Sequence, residues 1–361
     1  MSKKEVVLFE MFAGYGGASW ALKKAGIDYR CIGISEIDKG AIICFNNNFK
    51  GIKNYGDCKN IDPKELPDFN LLTAGFPCQD VSIAGKRDLN KGRTNLYTEI
   101  LRIAKHKKPK YLVLENVKGL LSMEVDDRKL HLKIVSDLNK IGYDVCYKVL
   151  NSKDYGIPQN RERIFFICKY GSWDFMEFMF PEKKELKIFL KDILEKEIDK
   201  KYYLNERQLK RIKRIDKQIG HCLTTGDNNK LSKNMNCIDE RSYKGNRVIE
   251  RDKPYFSTLT TDSNDYICHS LYPRSSMSGK GGTGPLSKQD GTSYTLDTGN
   301  CQAIEHNKNI RRLTPRECFR LMGFLDDEIN LKGLSDNRIY KLAGNGWDIN
   351  LVSLIFKRLF K

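Results

Sequence analysis

The run Val6-Val7-Leu8-Phe9, followed by Ala13-Gly14-Tyr15-Gly16-Gly17, decides how this chain begins to fold. The apolar run predicts a buried strand, and the glycines predict a tight loop directly after it. Residues 18–25 then have the composition of a helix, and Gly26 follows where helices commonly end in the left-handed conformation. The chain therefore starts with a strand, a glycine loop and a helix.

Alternating strands and helices continue to about residue 170. Further short apolar runs predict strands at 31–34, 71–74, 111–114, 145–150 and 164–168. Apolar residues at helical spacing predict helices at 94–106 and 130–141. This order predicts an α/β fold with a doubly wound, mostly parallel sheet, whose ligands bind at the carboxyl ends of the strands.

The composition changes after about residue 178. Apolar spacing predicts a helix at 186–194, and a second, strongly basic helix is expected at 206–215. From about 220 to 310 the helical period is lost, and Gly, Ser, Thr and Asn dominate between short predicted strands. A globular composition then returns and predicts a C-terminal helix at 351–360.

This change divides the chain into two predicted domains. The larger comprises residues 1–178 plus 328–361, and the smaller, loop- and strand-rich domain comprises residues 179–327. A weak repeat lies in the smaller one: 223–228 is echoed by 259–264 and 296–300. It is either a strand–turn unit that presents hydroxyls and amides to a groove, or independent use of common turn residues.

The net charge of +17 over 361 residues favours a polyanionic partner, above all nucleic acid, although a lysine-rich proteome would also produce it. No run of eighteen apolar residues predicts a membrane span. Eleven cysteines without an export signal favour reduced thiols in a cytoplasm. The Cys-His pairs at 221–222 and 268–269 lack zinc spacing, so we expect no metal site.

Four chemically distinctive positions follow predicted strand ends: the glycine loop, Glu36, Cys78 and Glu115. Glycines let backbone amides approach a ligand, and an acid at the next strand end can hold ribose hydroxyls. The loop and Glu36 therefore suit an adenosine-type cofactor, but the loop is also compatible with a plain tight turn.

Cys78 stands in Gly75-Phe76-Pro77-Cys78-Gln79, where the proline fixes the backbone just before the thiol. Neighbouring cations would raise the thiolate fraction of such a cysteine. The candidates are Lys86, Arg87, Arg93, Arg161 and Arg163. The alternative is a small buried side chain.

Glu115 would gain a raised pKa if it is partly buried at its strand end, and it could then act as an acid. Its alternative role is a helix cap or an ion pair. In Gln159-Asn160-Arg161-Glu162-Arg163, the period of two places both arginines on one face, directed either to the site or to solvent.

Taken in order, these motifs resemble those of the bacterial and phage DNA (cytosine-5) methyltransferases. The matching segments are 12–17, 36–38, 56–57, 75–79, 115–117, 159–163, 312–317 and 344–345. The resemblance implies a Rossmann-like, S-adenosylmethionine-dependent catalytic domain at 1–178 plus 328–361 and a target recognition domain at 179–327. It also implies methylation of carbon 5 of a cytosine that is flipped out of duplex DNA at a specific sequence.

The resemblance assigns roles to individual residues. Cys78 would attack carbon 6, Glu115 would contact ring nitrogen 3, and Arg163, with Arg161, would orient the base and the thiolate. The implied S-adenosylmethionine contacts are Phe12, Ala13, Gly14, Gly16, Gly17, Glu36, Ile37, Asp57, Cys58, Pro77 and Asn345. The implied DNA contacts are Gln79, Ser82, Lys86, Arg87, Arg93, Thr260, Thr261 and Thr295.

Two departures from the family pattern stand out. Glu10 replaces a more common Asp, and we expect it still to bridge to the donor's amino group. Gly346-Trp347-Asp348 replaces small apolar residues, so Trp347 either packs beside the donor or belongs to the core.

Two rival functions share these motifs. An RNA cytosine-5 methyltransferase would tend to have a smaller recognition segment, and an inactive homologue would have lost Cys78 or Glu115. We therefore expect an active, monomeric enzyme in the cytoplasm of a bacterial or phage-infected cell, with or without a restriction endonuclease that shares its site.

Overall fold

The computed structural model describes residues 5–77, 96–125, 128–174, 178–206, 209, 237–238, 248–249, 266–270, 287–298, 302–306 and 309–360. Cys78, the first two copies of the repeat and most of the predicted basic helix lie outside these residues. Of the third copy, residues 296–298 are described, and they contain no strand.

The main sheet and a small hairpin contain the first eight strands. These are β1 Val6–Met11, β2 Tyr29–Ser35, β3 Leu71–Gly75, β4 Tyr111–Val117, β5 Glu124–Val125, β6 Arg128–Lys129, β7 Tyr143–Asn151 and β8 Glu162–Tyr170. The sheet order is β2-β1-β3-β4-β8-β7, while β5 pairs with β6. The first four strands of this order run parallel, and β8 runs antiparallel to both of its neighbours. The predicted α/β fold with a mostly parallel sheet is confirmed.

The antiparallel direction of β8 has a direct effect on the functional edge of the sheet. Gly75 lies opposite Glu115 in the β3–β4 register, and Val117 lies opposite Arg163 in the β4–β8 register. The carboxyl end of β4 therefore meets the amino end of β8. The arginine segment starts β8 at the same edge where β3 and β4 end.

Eight helices are found among the described residues. They are α1 Gly17–Ala25, α2 Lys39–Asn48, α3 Leu96–Lys107, α4 Leu130–Lys140, α5 Leu190–Ile193, α6 Pro315–Arg320, α7 Asp336–Asn345 and α8 Ile349–Phe360. As predicted, α1 ends at Gly26, whose φ of 65° lets its N–H reach the carbonyls of Leu22 and Lys23. None of these helices is long and apolar enough to cross a lipid bilayer.

The helix predicted at 186–194 is wrong, since only the four residues of α5 are helical. The backbone N–H groups around it have tertiary partners instead. Lys184 donates to the carbonyl of Asp154 at 2.8 Å, and Leu190 donates to that of Gly291 at 2.7 Å. These contacts override the apolar spacing.

Helices cover both faces of the main sheet. On one face, Leu112, Leu114 and Phe166 pack with Ile100 of α3 and Ile134 of α4. The alternate residues of the same strands point the other way. On that second face, the Tyr111 ring contacts Phe360 of α8, and α8 packs on α1. The core is therefore that of a doubly wound domain.

Contacts divide the chain into two compact units. The first comprises residues 1–198, 291–302 and 313–361, and the second comprises residues 199–290 and 303–312. Residues 179–198, 291–302 and 313–327, which composition placed in the smaller domain, thus belong to the compact unit of the main sheet. They return because their backbone pairs with it: Asn160 and Ser293, for example, form a hydrogen bond of 2.9 Å.

The second unit is rich in short strands. They are β9 Cys237–Ile238, β10 Val248–Ile249, β11 Ile267–Ser270, β12 Ser287–Lys288, β13 Gln302–His306 and β14 Asn309–Arg312. β9 pairs with β10, and the other four form a sheet in the order β12-β11-β13-β14. The described residues of this part of the chain thus include short strands, as predicted.

Candidate active site

The glycine loop between β1 and α1 has an unusual backbone. Phe12 adopts a φ of 53°, and its N–H donates to the carbonyl of Ser35 at 2.8 Å. Gly16 precedes α1 with a φ of 88°, and a Cβ atom there would lie 2.7 Å from the Phe49 ring. Only glycine fits this position, because both the conformation and the space exclude a side chain. Ala13 is buried in the same loop.

Glu36 joins this loop to the end of β2. Its carboxylate accepts hydrogen bonds from the N–H groups of Gly14 at 2.9 Å and of Ile37 and Asp38 at 2.8 Å. The structure therefore brings together the loop and the acid that the sequence paired. A Cβ atom on Gly14 would meet no atom within 4 Å, so the loop has open space beside it.

The remaining predicted donor residues lie in several different elements. Ile37 is 70% exposed. Pro77 lies two residues after β3 and directly before Cys78. Asp57 starts a short turn by accepting the N–H of Lys59 at 3.0 Å, and the buried Cys58 follows it. Burial raises the pKa of the Cys58 thiol to about 11, which keeps it protonated. Asn345 ends α7.

Glu10 is used to cap a helix. Its buried carboxylate accepts the Ala18 N–H at 2.8 Å, the Ser19 N–H at 3.3 Å and the Ser19 hydroxyl at 2.9 Å. Burial raises its pKa to about 7, although these three hydrogen bonds oppose the rise. The structure thus places Glu10 at the start of α1, and its expected bridge to the donor's amino group stays a prediction.

The acid side of the edge is centred on Glu115. Its side chain is buried at the end of β4, and Arg163 Nε lies 3.0 Å from its Oε1. Burial raises the pKa of Glu115, whereas Arg163, Arg161 and a hydrogen bond from Trp347 lower it. The burial and the raised pKa that we predicted for Glu115 are therefore present.

Arg161 has a different role from the one predicted. The residue is 2% exposed, and its guanidinium donates to the carbonyls of Gly344 at 3.0 Å, Gly346 at 2.7 Å and Leu296 at 3.5 Å. Burial and the nearby Arg163 lower its pKa to about 9. Both arginines lie on the side of Glu115, as period two predicts, but Arg161 holds the backbone after α7 and only Arg163 pairs with the acid.

Two amides near these residues were missed by sequence reasoning. Asn116 donates to the carbonyl of Phe76 at 3.0 Å, which fixes the backbone two residues before Cys78. Asn54 accepts the N–H of Glu36 at 3.2 Å and that of Gly56 at 3.0 Å, so it joins two predicted donor segments. Asn116 adjoins Glu115 in the sequence, but its partner could not be read from spacing.

The predicted DNA contacts are mostly outside the structure. Cys78, Gln79, Ser82, Lys86, Arg87, Arg93, Thr260 and Thr261 lie outside the described residues. Thr295 is described, and its hydroxyl donates to the carbonyl of Asn160 at 2.6 Å. This contact places it beside the arginine segment.

A family model described as C-5 cytosine-specific DNA methylase matches residues 6–361. The type II methyltransferase M2.ScrFI of Lactococcus lactis subsp. cremoris is 30% identical, over 98% of this chain and 99% of its own length. The type II methyltransferase M.HhaI of Haemophilus parahaemolyticus is 33% identical, over 96% of this chain and 91% of its own. The orphan methyltransferase M.SPRI of Bacillus phage SPR is 30% identical, over 98% and 97%.

Solved structures share the fold. A mutant of DNMT2 from Spodoptera frugiperda aligns with a TM-score of 0.65 at 16% identity, over 99% of this chain and 100% of its own. A putative DNA modification methyltransferase encoded within a prophage of E. coli aligns with a TM-score of 0.60 at 19% identity, over 99% of both chains. At these identities the likeness concerns the fold alone.

The residues at the donor edge, where β1 and β2 end, fit S-adenosylmethionine. Open space at Gly14 adjoins Glu36 at the end of β2 and the exposed apolar side chain of Ile37. The acid edge, formed by β4 and β8, presents the buried Glu115 carboxyl group paired with Arg163. With the match over residues 6–361, these features have one interpretation. The chain belongs to the C-5 cytosine-specific DNA methylase family, whose members transfer a methyl group from S-adenosylmethionine to carbon 5 of cytosine in DNA.

Proposed function

We propose that Cys78 and Glu115 are the nucleophile and the acid of this DNA methyltransferase, and that it acts at one specific sequence in duplex DNA. The observation that carries the proposal is the placement of the buried Glu115–Arg163 pair opposite Gly75, at the end of the strand that leads to Cys78. The names of the type II relatives support the sequence specificity.

The backbone supports Cys78 as the nucleophile. Cys78 is three residues beyond Gly75, so its Cα lies within about 11 Å of the Gly75 Cα even in a fully extended chain. The carbonyl of Phe76, between Gly75 and Cys78, accepts a hydrogen bond from Asn116, the neighbour of Glu115. The nucleophile motif and the acid motif are therefore connected directly through β3 and β4.

The chemistry needs one thiolate and one proton donor. As the Cys78 thiolate forms a bond to carbon 6, the electron pair of the C5–C6 double bond shifts to C4–C5, that of C4=N3 shifts onto nitrogen 3, and Glu115 donates its proton there. S-adenosylmethionine, when bound, supplies the methyl group that carbon 5 accepts. A water molecule then takes the proton from carbon 5, the sulfur leaves as the thiolate, and nitrogen 3 returns its proton to Glu115, which restores the aromatic ring.

Burial of Glu115 serves this step because it favours the protonated carboxyl group. Arg163 holds Oε1, which leaves Oε2 as the oxygen that carries the proton. A general acid works best when its pKa is near the working pH, and a normal glutamate would be ionised there.

We propose that Glu36 and Gly14, with Phe12, Ala13, Gly16, Gly17, Ile37, Asp57, Cys58, Pro77 and Asn345, bind the donor. The three N–H groups that Glu36 accepts fix its carboxylate at the end of β2. An acid fixed there can bind ribose hydroxyls without reorganising.

We propose that the second compact unit recognises the target DNA. Its residues 199–290 and 303–312 contain 21 Lys and Arg against 12 Asp and Glu, a net +9 of the total +17. Such a concentration of positive charge suits phosphate contacts. Gln79, Ser82, Lys86, Arg87, Arg93, Thr260, Thr261 and Thr295 are proposed to contact the duplex as well.

We further propose that the enzyme acts as a monomer in the cytoplasm of a bacterial or phage-infected cell. A single flipped base requires one active site, and one chain contains every proposed site residue. Relatives carry both type II and orphan names, so a cognate restriction endonuclease and a solitary enzyme are both compatible with the family.

The test is expression in a bacterial host without DNA methylation, followed by base-resolution mapping of 5-methylcytosine. We expect methylation at one short consensus, and none with Cys78→Ser. The variant Cys146→Ser, on β7, is the matched control and should reproduce the wild-type map. Methylation scattered without a consensus, or retained by Cys78→Ser, would contradict the proposal.

A further inference from the structure

Trp347 lies in the short connection between α7 and α8. Its side chain is only 8% exposed, and its ring packs edge-on against Phe165 of β8, with centroids 6.4 Å apart. Phe165 is the residue opposite Glu115 in the β4–β8 register. The connection therefore places a tryptophan beside the acid, although it is distant from it in the sequence.

The backbone on both sides of Trp347 is fixed. Arg161 donates to the carbonyls of Gly344 and Gly346, and the Tyr15 hydroxyl donates to the carbonyl of Trp347. A Cβ atom on Gly346 would lie 2.0 Å from the Tyr15 ring, so this position requires glycine. A buried arginine and a buried tyrosine thus serve to hold one short connection.

The indole itself touches both halves of the site. A Cβ atom on Gly75 would lie 2.7 Å from Trp347 Nε1 and 3.3 Å from Glu115 Oε2. A Cβ atom on Gly17 would lie 3.0 Å from the Trp347 Cβ. Gly17 ends the donor loop and Gly75 begins the nucleophile motif, so the ring lies between these two segments.

We propose that Trp347 is a positioning residue for methyl transfer: its indole N–H binds Glu115 Oε2 while Arg163 binds Oε1, so that the carboxyl group is held in one orientation. This inference rests on the proposed role of Glu115 as the acid. Oε2 has two lone-pair directions, so it can accept the indole N–H and still carry the proton for nitrogen 3.

The proposal has a definite consequence for acidity. The described charged groups acting on Glu115 are Arg163 on β8 and Arg161 just before it, and the indole N–H adds to their effect. Each of them favours the ionised carboxylate, so the loss of the N–H alone raises the pKa of Glu115. The limb of the pH–rate profile that reports this carboxyl group therefore moves to higher pH, by about one unit.

The experiment compares single-turnover methyl transfer across pH for the wild type, Trp347→Phe and Trp20→Phe. Trp20 is the matched control, since it is also buried and its Nε1 has no hydrogen-bond partner among the described residues. A benzothiophene analogue of tryptophan at position 347, which keeps the bicyclic shape without the N–H, serves as the second variant. A parallel readout without turnover is the pH dependence of the dissociation constant for the mapped target duplex, measured with S-adenosylhomocysteine.

We expect both changes at 347 to move the same limb upward in both readouts, and Trp20→Phe to move neither. Profiles at 347 that coincide with the wild type, even at a lower rate, would overturn the inference and reduce Trp347 to packing. Loss of S-adenosylhomocysteine affinity without a shifted profile would also overturn it.

Glu115→Gln separates this inference from the proposed function. An impaired Glu115→Gln variant combined with unshifted profiles at 347 contradicts the inference alone. Full activity of Glu115→Gln contradicts the role of Glu115 as the acid, and the inference with it.

Discussion

The donor edge and the acid edge of the site are formed by different chemical groups. The donor edge, at the ends of β1 and β2, is shaped by backbone N–H groups and glycines around Glu36. The acid edge, at β4 and β8, is shaped by buried side chains whose charges interact, Glu115 with Arg163 and Arg161. Substitutions at the first edge should therefore act through conformation, and substitutions at the second should act through charge.

The largest expected contrast is between Arg161 and Arg163, at the start of β8. Arg161→Met leaves the carbonyls of Leu296, Gly344 and Gly346 without their buried donor, so we expect a loss of about 2–4 kcal/mol in unfolding free energy. Arg163→Met leaves Glu115 unpaired, but that carboxyl group can remain protonated, which limits the cost. Denaturant unfolding of both variants measures the difference.

Methyl transfer by the same two variants sharpens the comparison. Arg163→Met should raise the pKa of Glu115, because the carboxyl group loses its neighbouring cation. It should also slow the reaction, because the cytosine and the carboxyl group are no longer oriented by the guanidinium. Equal losses of stability in the two variants would contradict the separate roles assigned to these arginines.

A smaller effect is expected at the donor edge from Gly16→Ala. The residue has a φ of 88°, and the new Cβ would press on the Phe49 ring, so we expect a loss of about 1–3 kcal/mol and weaker binding of S-adenosylhomocysteine. Gly51→Ala is the matched control, since Gly51 has a φ of 75° with nothing near its Cβ position. Calorimetric titration should show a binding loss for Gly16→Ala only, and equal binding by both variants would contradict the conformational account.

Glu10 should produce an effect of similar size, visible only as a pH dependence of stability. Its pKa is raised to about 7 in the folded protein, so the folded state keeps a proton that the unfolded state releases near pH 4.5. Folding stability attributable to this group is therefore present at low pH and falls between about pH 4.5 and 7, by about 1–3 kcal/mol.

Glu10→Gln tests this sign. The variant should lose that part of the decline, whereas the exposed Glu65→Gln should retain it. Unfolding free energies between pH 5 and 8 measure the effect. A decline of wild-type magnitude in Glu10→Gln would contradict the assignment.

Much of the main sheet could be predicted because short buried runs and glycine stops are local signals. The end of α1 at Gly26 and the burial of Glu115 at the end of β4 follow from such signals. The period of two correctly placed Arg161 and Arg163 on the side of Glu115. It could not tell that Arg161 would bind carbonyls far along the chain, because alternation defines a face and not a partner.

The other differences between prediction and structure also arise from partners that are distant in the sequence. In the segment predicted as a helix at 186–194, the Leu190 N–H binds the Gly291 carbonyl, and residues 291–302 return to the first compact unit for similar reasons. Trp347 had two candidate roles in the sequence, and its contact with Glu115 depends on how α7 and α8 pack. Such contacts are non-local, so no spacing rule contains them.

Trapping of a covalent complex tests the central claim most directly. A target duplex with 5-fluorocytosine at the methylated position lets sulfur add to carbon 6 and the methyl group add to carbon 5, but the fluorine cannot leave as the proton does. With S-adenosylmethionine present, the account predicts a one-to-one protein–DNA adduct that survives denaturation and maps to Cys78 by mass spectrometry. The adduct should be absent in Cys78→Ser and retained in Cys146→Ser. An adduct on another cysteine would contradict the account. So would efficient methylation of the unfluorinated duplex by an enzyme that forms no adduct with the fluorinated one.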